Sequence, residues 1–254
     1  MNGGRRRTIL GVALGALLAA PGPLAAQHPQ AAEQREHVAL KWWHPLVASA
    51  GITALFLIDE PVRDFVQDHR SAALDDVADV GSHFHEPNIF LVSGVGAMSV
   101  GLLAREPKVA QTGLQIIAAY GLSSAMMIGT KWSFGRSRPR DTPEDNVDMS
   151  FFGGGANSAF PSGASTVVFS LATTVSDAVG HPAVTVLLYS GAAVNAWARV
   201  NDDRHWLSDV ALGALYGITS AKLVNGHWRV FGLRPPTVGI DSRGDWTVAY
   251  RVSW

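Results

Sequence analysis

A chain of 254 residues is long enough for one large domain, and it contains no internal repeat or low-complexity tract that would indicate more. A net charge of -1 argues against a nucleic-acid partner, and the absence of cysteine excludes disulfides, thiolate catalysis and cysteine-bound metal. Because charged residues make up only 16% and the mean hydropathy is +0.13, we expect extensive burial in protein or lipid.

The first 26 residues have the pattern of an export signal. Three arginines at 5–7 precede an apolar stretch at 8–20 and a small-residue cleavage region at 21–26. The arginines at 6 and 7 also fit a twin-arginine export signal, although a Sec signal is favoured. Residues 27–41 form a polar lead-in. The sequence therefore predicts a mature chain that begins near Gln27 and lies on the periplasmic side of a bacterial envelope.

Apolar segments then recur along the chain, and their lengths suit helices. They span residues 46–58, 88–104, 109–130, 161–175, 182–198 and 207–221. Only the third clearly reaches the length that a bilayer demands. Residues 59–80 carry many charges around isolated apolar side chains, which is typical of an amphipathic helix outside lipid. A membrane-spanning bundle and a soluble bundle both remain open, and a periplasmic protein held at the membrane is favoured.

The third apolar segment ends in a pair of cations. Lys131 and Arg138 are seven positions apart, about two helical turns, so a helix would present both on one face until Pro139 ends it. Arginine grips two phosphate oxygens at once, and lysine adds a compact charge. The pattern predicts two cations that point at one anion. The loop at 140–159 is a candidate for bordering the site entrance and selecting the substrate, and a solvated connector is the alternative.

Two later motifs complete a candidate phosphoryl-transfer site. Ser162 and Gly163 follow a proline and open an apolar run, so they predict a helix N-terminus that favours an anion. Arg199 supplies a second guanidinium fork. His205 and Asp209 are four positions apart, which predicts one helix face. The carboxylate would then accept from one ring nitrogen and leave the other free to attack phosphorus.

These motifs resemble those of the type 2 phosphatidic acid phosphatase (PAP2) superfamily, which also contains bacterial acid phosphatases and vanadium haloperoxidases. The family signature reads Lys-x6-Arg-Pro, Pro-Ser-Gly-His and Ser-Arg-x5-His-x3-Asp, and the likeness covers roughly residues 40–224. The resemblance implies an all-α bundle of about six helices, a phosphohistidine on His205 and an orienting role for Asp209. It also implies a set of phosphate-binding residues: Lys131, Arg138, Ser162, Gly163 and Arg199.

The resemblance implies a phosphatase domain at residues 42–230. We expect no cofactor and no metal, because histidines and carboxylates do not cluster at metal-ligand spacing outside the site. Past this domain, a C-terminal extension at 231–254 alternates apolar and polar residues on either side of a turn at 242–245. This period of two predicts a β-hairpin.

The chain departs from the family signature at two positions. Ala164 replaces the histidine that serves the family as general acid, and Ala198 replaces a serine with minor expected effect. General acid catalysis contributes about 10²–10⁴-fold, but a phosphate leaving group with a pKa of about 6 departs with little help. We therefore expect diphosphate or aryl-phosphate substrates to be preferred over alkyl phosphates. His83 or His85 as a relocated acid is the alternative.

Three functions follow from these motifs. The first is an exported phosphohydrolase that acts on phosphorylated lipids or small molecules at a membrane surface. The second is a non-catalytic relative that binds phosphate or a lipid headgroup, since the cations are present and only the acid is missing. The third is a vanadate-dependent haloperoxidase, because the same cations bind vanadate.

Overall fold

The fold is a helical bundle with a small C-terminal hairpin, as predicted. In the computed structural model the described residues are 38–83, 87–153, 158–230, 237–240 and 245–249. The helices are α1 (Trp43–Leu55), α2 (Asp59–Asp68), α3 (Ala72–Ser82), α4 (Pro87–Ala104), α5 (Pro107–Phe134), α6 (Gly163–Val179), α7 (Pro182–Asn201) and α8 (Leu207–Val224). The predicted export signal at 1–26 lies outside the described residues.

A 3-10 turn, Phe56–Ile58, joins α1 to α2, so the two form one continuous helical run. When these two are counted as one, the described part of the chain contains seven helices, whereas about six were predicted. Strands β1 (Val38–Ala39) and β2 (Trp228–Arg229) pair in parallel. Strands β3 (Thr237–Ile240) and β4 (Trp246–Ala249) form the predicted antiparallel hairpin.

Helix α6 is the centre of the bundle and packs against α5, α7 and α8. Two glycines of α8 permit a close approach to it. A Cβ at Gly213 would lie 2.5 Å from the carbonyl oxygen of Ser162, and one at Gly217 would lie 2.3 Å from that of Thr166. Because real Cβ atoms do not approach so closely, these glycines set the distance between α6 and α8.

The interior of α6 is rich in hydroxyl groups. Buried side chains on this helix include Ser165, Thr166, Ser170, Thr173, Thr174 and Ser176. Several of them bond to the backbone of their own helix: Thr166 Oγ1 donates to the carbonyl of Ser162 at 2.8 Å, and Thr174 Oγ1 to that of Ser170 at 2.9 Å. These bonds satisfy hydroxyls that would be costly to bury alone.

Large apolar side chains lie on the outside of the bundle. Helix α1 has no buried residue, and exposed apolar side chains include Leu46, Leu57, Leu103, Ile128 and Leu187. By length and composition, three helical runs in the described residues are suited to crossing a membrane, namely Trp43–Asp68, Pro107–Phe134 and Leu207–Val224. Exposed apolar surface on this scale marks an interaction with lipid or protein.

The amphipathic segment predicted at 59–80 is divided in two by Ser71. This residue has an extended backbone (φ -149) and caps α3 by accepting a hydrogen bond from the Leu74 amide at 3.3 Å. The part before the break continues α1. The first apolar helix is therefore longer than the segment 46–58 that hydropathy alone indicated.

The C-terminal hairpin lies against the bundle, with β3 in contact with α5. An apolar groove between the hairpin and the helices is lined by Met98 of α4, Leu114 of α5 and Trp246 of β4. Leu114 lies toward the start of α5, whereas Lys131 lies in the last turn of that helix. The hairpin thus supports the end of the bundle that is remote from the three motifs.

Candidate active site

Helix α5 carries Lys131 in its last turn and ends at Phe134. It ends there because Gly135 adopts a left-handed conformation (φ 54) and its amide bonds to the carbonyl of Lys131 at 3.0 Å. The prediction that the helix continues to Arg138 is therefore wrong. Arg138 lies in the following loop, half-buried, and Lys131 reaches the carbonyl of Ser158 with its ammonium group.

The second motif forms the start of α6, as predicted. Ser162 is the buried N-cap residue, and its hydroxyl accepts from the amide of Ser165 at 3.4 Å. Gly163 is the first residue of the helix. The Ser162 amide donates to the carbonyl of Asp209 at 2.9 Å, which links the starts of α6 and α8. The positive end of the α6 dipole and the third motif therefore lie together.

His205 lies in the loop before α8, and Asp209 is the third residue of that helix. The two residues do not share one helix face, but they remain close. The nearest acceptor of His205 Nδ1 is the carbonyl oxygen of Ala159 at 2.9 Å, and Asp209 Oδ2 is 3.5 Å away. A carbonyl oxygen only accepts, so Nδ1 carries the proton and Nε2 of the neutral ring keeps its lone pair. The Ala159 carbonyl thus accepts the Nδ1 proton of His205, a role that was expected of the Asp209 carboxylate.

The surroundings of His205 favour the neutral form of its imidazole. Burial lowers its pKa below the ordinary value, the cations Lys131 and Arg138 lower it further, and Asp209 opposes the shift. Burial also lowers the pKa of Arg138, but a guanidinium group stays protonated at any physiological pH. The site therefore places a histidine that favours its neutral form beside a fixed positive charge.

Arg136 was not singled out from the sequence, and it organises the site. Its side chain is completely buried. One guanidinium nitrogen lies 2.7 Å from Asp209 Oδ1, and another lies 2.7 Å from Asp59 Oδ2. The Phe56 ring covers the guanidinium carbon at 4.2 Å. One buried cation thus compensates two buried carboxylates from different parts of the chain.

Asp59 completes this network at the start of α8. It accepts from the Ser208 amide at 2.8 Å and from the Ser208 hydroxyl at 2.6 Å, and that hydroxyl also accepts from Arg136 at 2.7 Å. Asp209 Oδ2 accepts from the Trp206 amide at 2.8 Å. Two features of the sequence could have pointed to this network. Arg136 follows a glycine within the first motif, and Asp59 comes directly after an apolar segment.

Arg199 lies buried in the last turn of α7. Its terminal nitrogen contacts the Ser82 hydroxyl and lies 3.1 Å from Asp202 Oδ2. Its Nε has no hydrogen-bond partner within the described part of the chain. The Arg199 carbonyl accepts from the His205 amide at 3.2 Å, so the two residues are joined through the backbone. The guanidinium lies to the α3 side of the site.

No described side chain replaces the missing acid at Ala164. Ala164 is half-buried in the first turn of α6. His83 is exposed at the end of α3, and its Nδ1 lies 2.5 Å from the carbonyl of Asp79. His85 lies outside the described residues. Within the described ranges no three histidine or carboxylate side chains are grouped so as to hold a metal ion.

The fold and the site define a helical-bundle protein with a neutral histidine among fixed cations. Residues 112–230 match the PAP2 superfamily. This region contains all three motifs, so the match confirms the resemblance to that superfamily on which the prediction rested.

Two curated relatives are similar to this region. A lipid A 1-phosphatase of Porphyromonas gingivalis is 33% identical over 109 residues, which cover 42% of this chain and 21% of that protein. A putative undecaprenyl-diphosphatase, YbjG of Escherichia coli, is 28% identical over 125 residues, which cover 46% of this chain and 60% of that protein. The chain thus spans about a fifth and about three fifths of the length of these relatives.

Two crystal structures share the fold. LpxE of Aquifex aeolicus superposes with a TM-score of 0.50 at 21% identity and covers 65% of this chain and 92% of its own. A transmembrane PAP2 type phosphatidylglycerolphosphate phosphatase from Bacillus subtilis superposes with a TM-score of 0.54 at 19% identity and covers 72% of this chain and 95% of its own. At these identities the likeness concerns the fold alone.

Proposed function

We propose that this chain is a phosphatase that removes phosphate from lipid or small-molecule phosphates and diphosphates. The observation that carries the proposal is the His205 ring. Its Nδ1 proton is held by Ala159, and no described residue bonds its Nε2. A free lone pair among cations is the arrangement that attack on a phosphorus atom requires. The two curated relatives, a lipid A 1-phosphatase and a putative undecaprenyl-diphosphatase, support the reaction class.

The proposed reaction has two steps. In the first, the Nε2 lone pair of His205 forms a bond to phosphorus while the bond from phosphorus to the leaving oxygen breaks, and the electron pair stays on that oxygen. Lys131 and Arg138 hold the transferring phosphoryl oxygens, as do Arg199 and the N-terminus of α6. In the second step, the oxygen of water forms a bond to phosphorus while the P–N bond breaks and its electron pair returns to Nε2. The water protons leave with the inorganic phosphate or pass to solvent.

The leaving oxygen receives no proton from Ala164, so its basicity decides the rate. An alkoxide is strongly basic, whereas a phosphate with a pKa of about 6 or an aryl oxide is a better leaving group. We infer that the site favours diphosphates and aryl phosphates over alkyl phosphates.

Four exposed or half-exposed aromatic side chains support a lipid substrate. We call Trp132, Phe134, Phe151 and Phe152 the aromatic patch. The Trp132 and Phe152 rings are 5.1 Å apart, and the Phe134 and Phe151 rings are 6.0 Å apart. Phe151 and Phe152 are 62% and 63% exposed although they are apolar. The patch begins next to Lys131, so it suits the apolar chain of a substrate whose phosphate enters the site.

We also propose that the protein acts on the periplasmic side of a bacterial envelope, held at the membrane. The export signal predicted at 1–26 and the apolar outer surface of the bundle support this location. Fusion of residues 1–40 to a reporter that is active only after export tests it. A reporter that stays inactive contradicts the location.

The test of the activity is phosphate release from the purified protein with a prenyl diphosphate, an aryl phosphate and phosphatidate. We expect release in that order of leaving-group acidity, and His205→Ala should reduce it at least about a thousandfold. His69→Ala is the matched control, because His69 is exposed at the end of α2.

The other outcomes separate the alternatives. No release from any of the three substrates contradicts the phosphatase and favours the phosphate-binding relative, the second candidate that Ala164 suggests. Loss of activity in His69→Ala as well as in His205→Ala would show that the effect is not specific to the nucleophile. Phosphatidate hydrolysis as fast as that of the prenyl diphosphate contradicts the leaving-group preference.

A further inference from the structure

Two arginines stand next to residues of the candidate site in the sequence and have no part in the reaction described above. We call Arg140 and Arg204 the outer arginine pair. Arg204 is exposed, and the side chain of Arg140 is 51% exposed. Neither belongs to the family motifs, since Arg140 follows Pro139 and Arg204 precedes His205. Their exposure leaves them accessible to a ligand that reaches the site.

The backbone brings these arginines together. The Arg140 amide donates to the carbonyl of Asp203 at 3.2 Å, so the loop after α5 and the loop before α8 meet next to Arg204. The Arg204 amide donates to the carbonyl of Arg199 at 3.1 Å. Beyond the effect of burial, both outer arginines act to lower the pKa of Arg138, so their charges are close enough to be felt at the phosphate-binding cation.

The carboxylates near Arg204 are already engaged by other arginines. Asp203 accepts two hydrogen bonds from Arg63, at 2.7 and 2.9 Å. Asp202 lies 3.1 Å from Arg199. Arg204 follows both in sequence, yet within the described part of the chain its side chain has neither a hydrogen-bond nor an ion-pair partner. Within the same residues the side chain of Arg140 has only Asp141 as an ion-pair partner, at 3.7 Å.

We propose that the outer arginine pair binds the second phosphate of a diphosphate substrate, the phosphate that leaves with the lipid. This inference rests on the proposed function, and it adds a subsite to the same site. A phosphate monoester has no group that reaches the pair while its phosphorus faces His205. A diphosphate ester places its second phosphate one bridging oxygen away from the phosphorus under attack, on the side of the leaving group.

The subsite stabilises the leaving oxygen, to which Ala164 cannot donate a proton. As the bond from His205 Nε2 to the terminal phosphorus forms, the bond from that phosphorus to the bridging oxygen breaks. The electron pair stays on the bridging oxygen, which becomes a non-bridging oxygen of the departing lipid phosphate. Guanidinium groups stabilise this negative charge by charge-assisted hydrogen bonds, so the oxygen needs no proton. Fixed charge thus takes the place of a general acid.

The first experiment compares kcat/KM for a prenyl diphosphate with kcat/KM for an aryl monophosphate. We expect Arg204→Ala to lower the ratio of the two at least about tenfold, with Arg204→Lys in between. Arg140→Ala should lower the ratio in the same direction. Lys108→Ala removes one exposed positive charge at the opposite end of α5 and is the matched control, for which the ratio should not change.

An equal loss for both substrates in Arg204→Ala would overturn the subsite, because it would mean that the arginine acts only through the general field of the site. An unchanged ratio would overturn it as well. If the wild-type protein hydrolyses neither substrate, the proposed function fails, and binding decides the inference separately. Methylenebisphosphonate, a diphosphate that cannot be hydrolysed, should then bind more weakly to Arg204→Ala than to wild type, with orthophosphate affinity changed much less. Equal bisphosphonate affinity overturns the inference.

Discussion

At the scale of single residues, Asp209 divides its two oxygens between two tasks. Oδ1 lies 2.7 Å from Arg136, and Oδ2 accepts from the Trp206 amide while lying 3.5 Å from His205. The carboxylate therefore anchors the start of α8 as much as it orients the imidazole. Arg136 in turn pairs with both Asp209 and Asp59, and its removal leaves two buried carboxylates without this ion pair.

Arg136→Met should therefore lower the free energy of unfolding by about 3–5 kcal/mol, because burying an unpaired carboxylate is costly. The measurement is urea denaturation in the same detergent for variant and wild type. Arg70→Met is the control, since Arg70 pairs with Asp75 on the surface at 2.9 Å, and it should cost less than about 1 kcal/mol. Similar losses for the two variants would contradict the role given to Arg136.

Ala164→His should restore a general acid in the first turn of α6. We expect kcat for phosphatidate to rise about 10²-fold or more, with a much smaller gain for a prenyl diphosphate, whose leaving group needs no proton. Steady-state kinetics with both substrates measures the difference. Ala104→His, at the exposed end of α4, is the control. A gain of equal size for both substrates would mean that the new histidine does not protonate the leaving oxygen.

The lowered pKa of His205 predicts the acid limb of the pH profile. Only the neutral ring attacks phosphorus, and the downward shift keeps it neutral at a lower pH than an ordinary histidine. The acid limb of kcat/KM should therefore lie below about pH 6.5. Asp209 raises this pKa while Lys131 and Arg138 lower it, so Asp209→Asn should move the limb to still lower pH. A limb that appears above pH 6.5 with two different substrates would contradict a neutral, buried His205.

At the scale of helices, glycines of α8 allow the close contact between α6 and α8. A Cβ at Gly217 would lie 2.3 Å from the Thr166 carbonyl, whereas one at Gly191 of α7 would meet no atom within 4 Å. Gly217→Ala should therefore destabilise the protein by about 1–3 kcal/mol, and Gly191→Ala should stabilise it by about 0.5–1 kcal/mol. Thermal unfolding of both variants tests the pair. Equal shifts in Tm would show that the helices do not depend on close contact.

Sequence patterns predicted the helices better than their ends. The start of α6 was predictable because the N-cap signal Pro-Ser-Gly is local. The end of α5 was placed at Pro139, but Gly135 ends it four residues before, and a glycine within an apolar pattern does not by itself reveal a positive φ. The contact of Arg136 with Asp59 joins positions 77 apart in sequence. Only the fold brings these two together, so no spacing rule could find the pair.

The same reasoning explains which site residues were predicted. Lys131, Ser162 and His205 belong to motifs whose spacing is itself informative. The Ala159 carbonyl that holds the His205 ring is a backbone group, and backbone groups leave no trace in residue type. Arg204 follows two carboxylates in the sequence, and no prediction was made for it. Its lack of a partner became visible only with the ion pairs of Asp202 and Asp203.

At the scale of the whole molecule, the aromatic patch relates the site to the outer apolar surface. Phe151→Ser with Phe152→Ser should lower kcat/KM about five- to tenfold for a long-chain lipid substrate in vesicles, because two large apolar contacts are lost. A water-soluble aryl phosphate should be hydrolysed as by wild type. The control is Val186→Ser with Leu187→Ser, an equally exposed apolar pair on α7. Equal effects of the two double variants would contradict a role for the patch in substrate binding.

The hydroxyl-rich interior of α6 has one more consequence. In the described part of the chain, buried apolar residues do not outnumber buried polar ones, while many large apolar side chains face outward. The outer face of the bundle is thus apolar enough to suit contact with lipid. The central helix is held by short-range contact and by hydrogen bonds, which do not require water as a driving force. Transfer from an aqueous to a hydrocarbon surrounding would therefore change the free energy of the outer face and leave the geometry around His205 as it is.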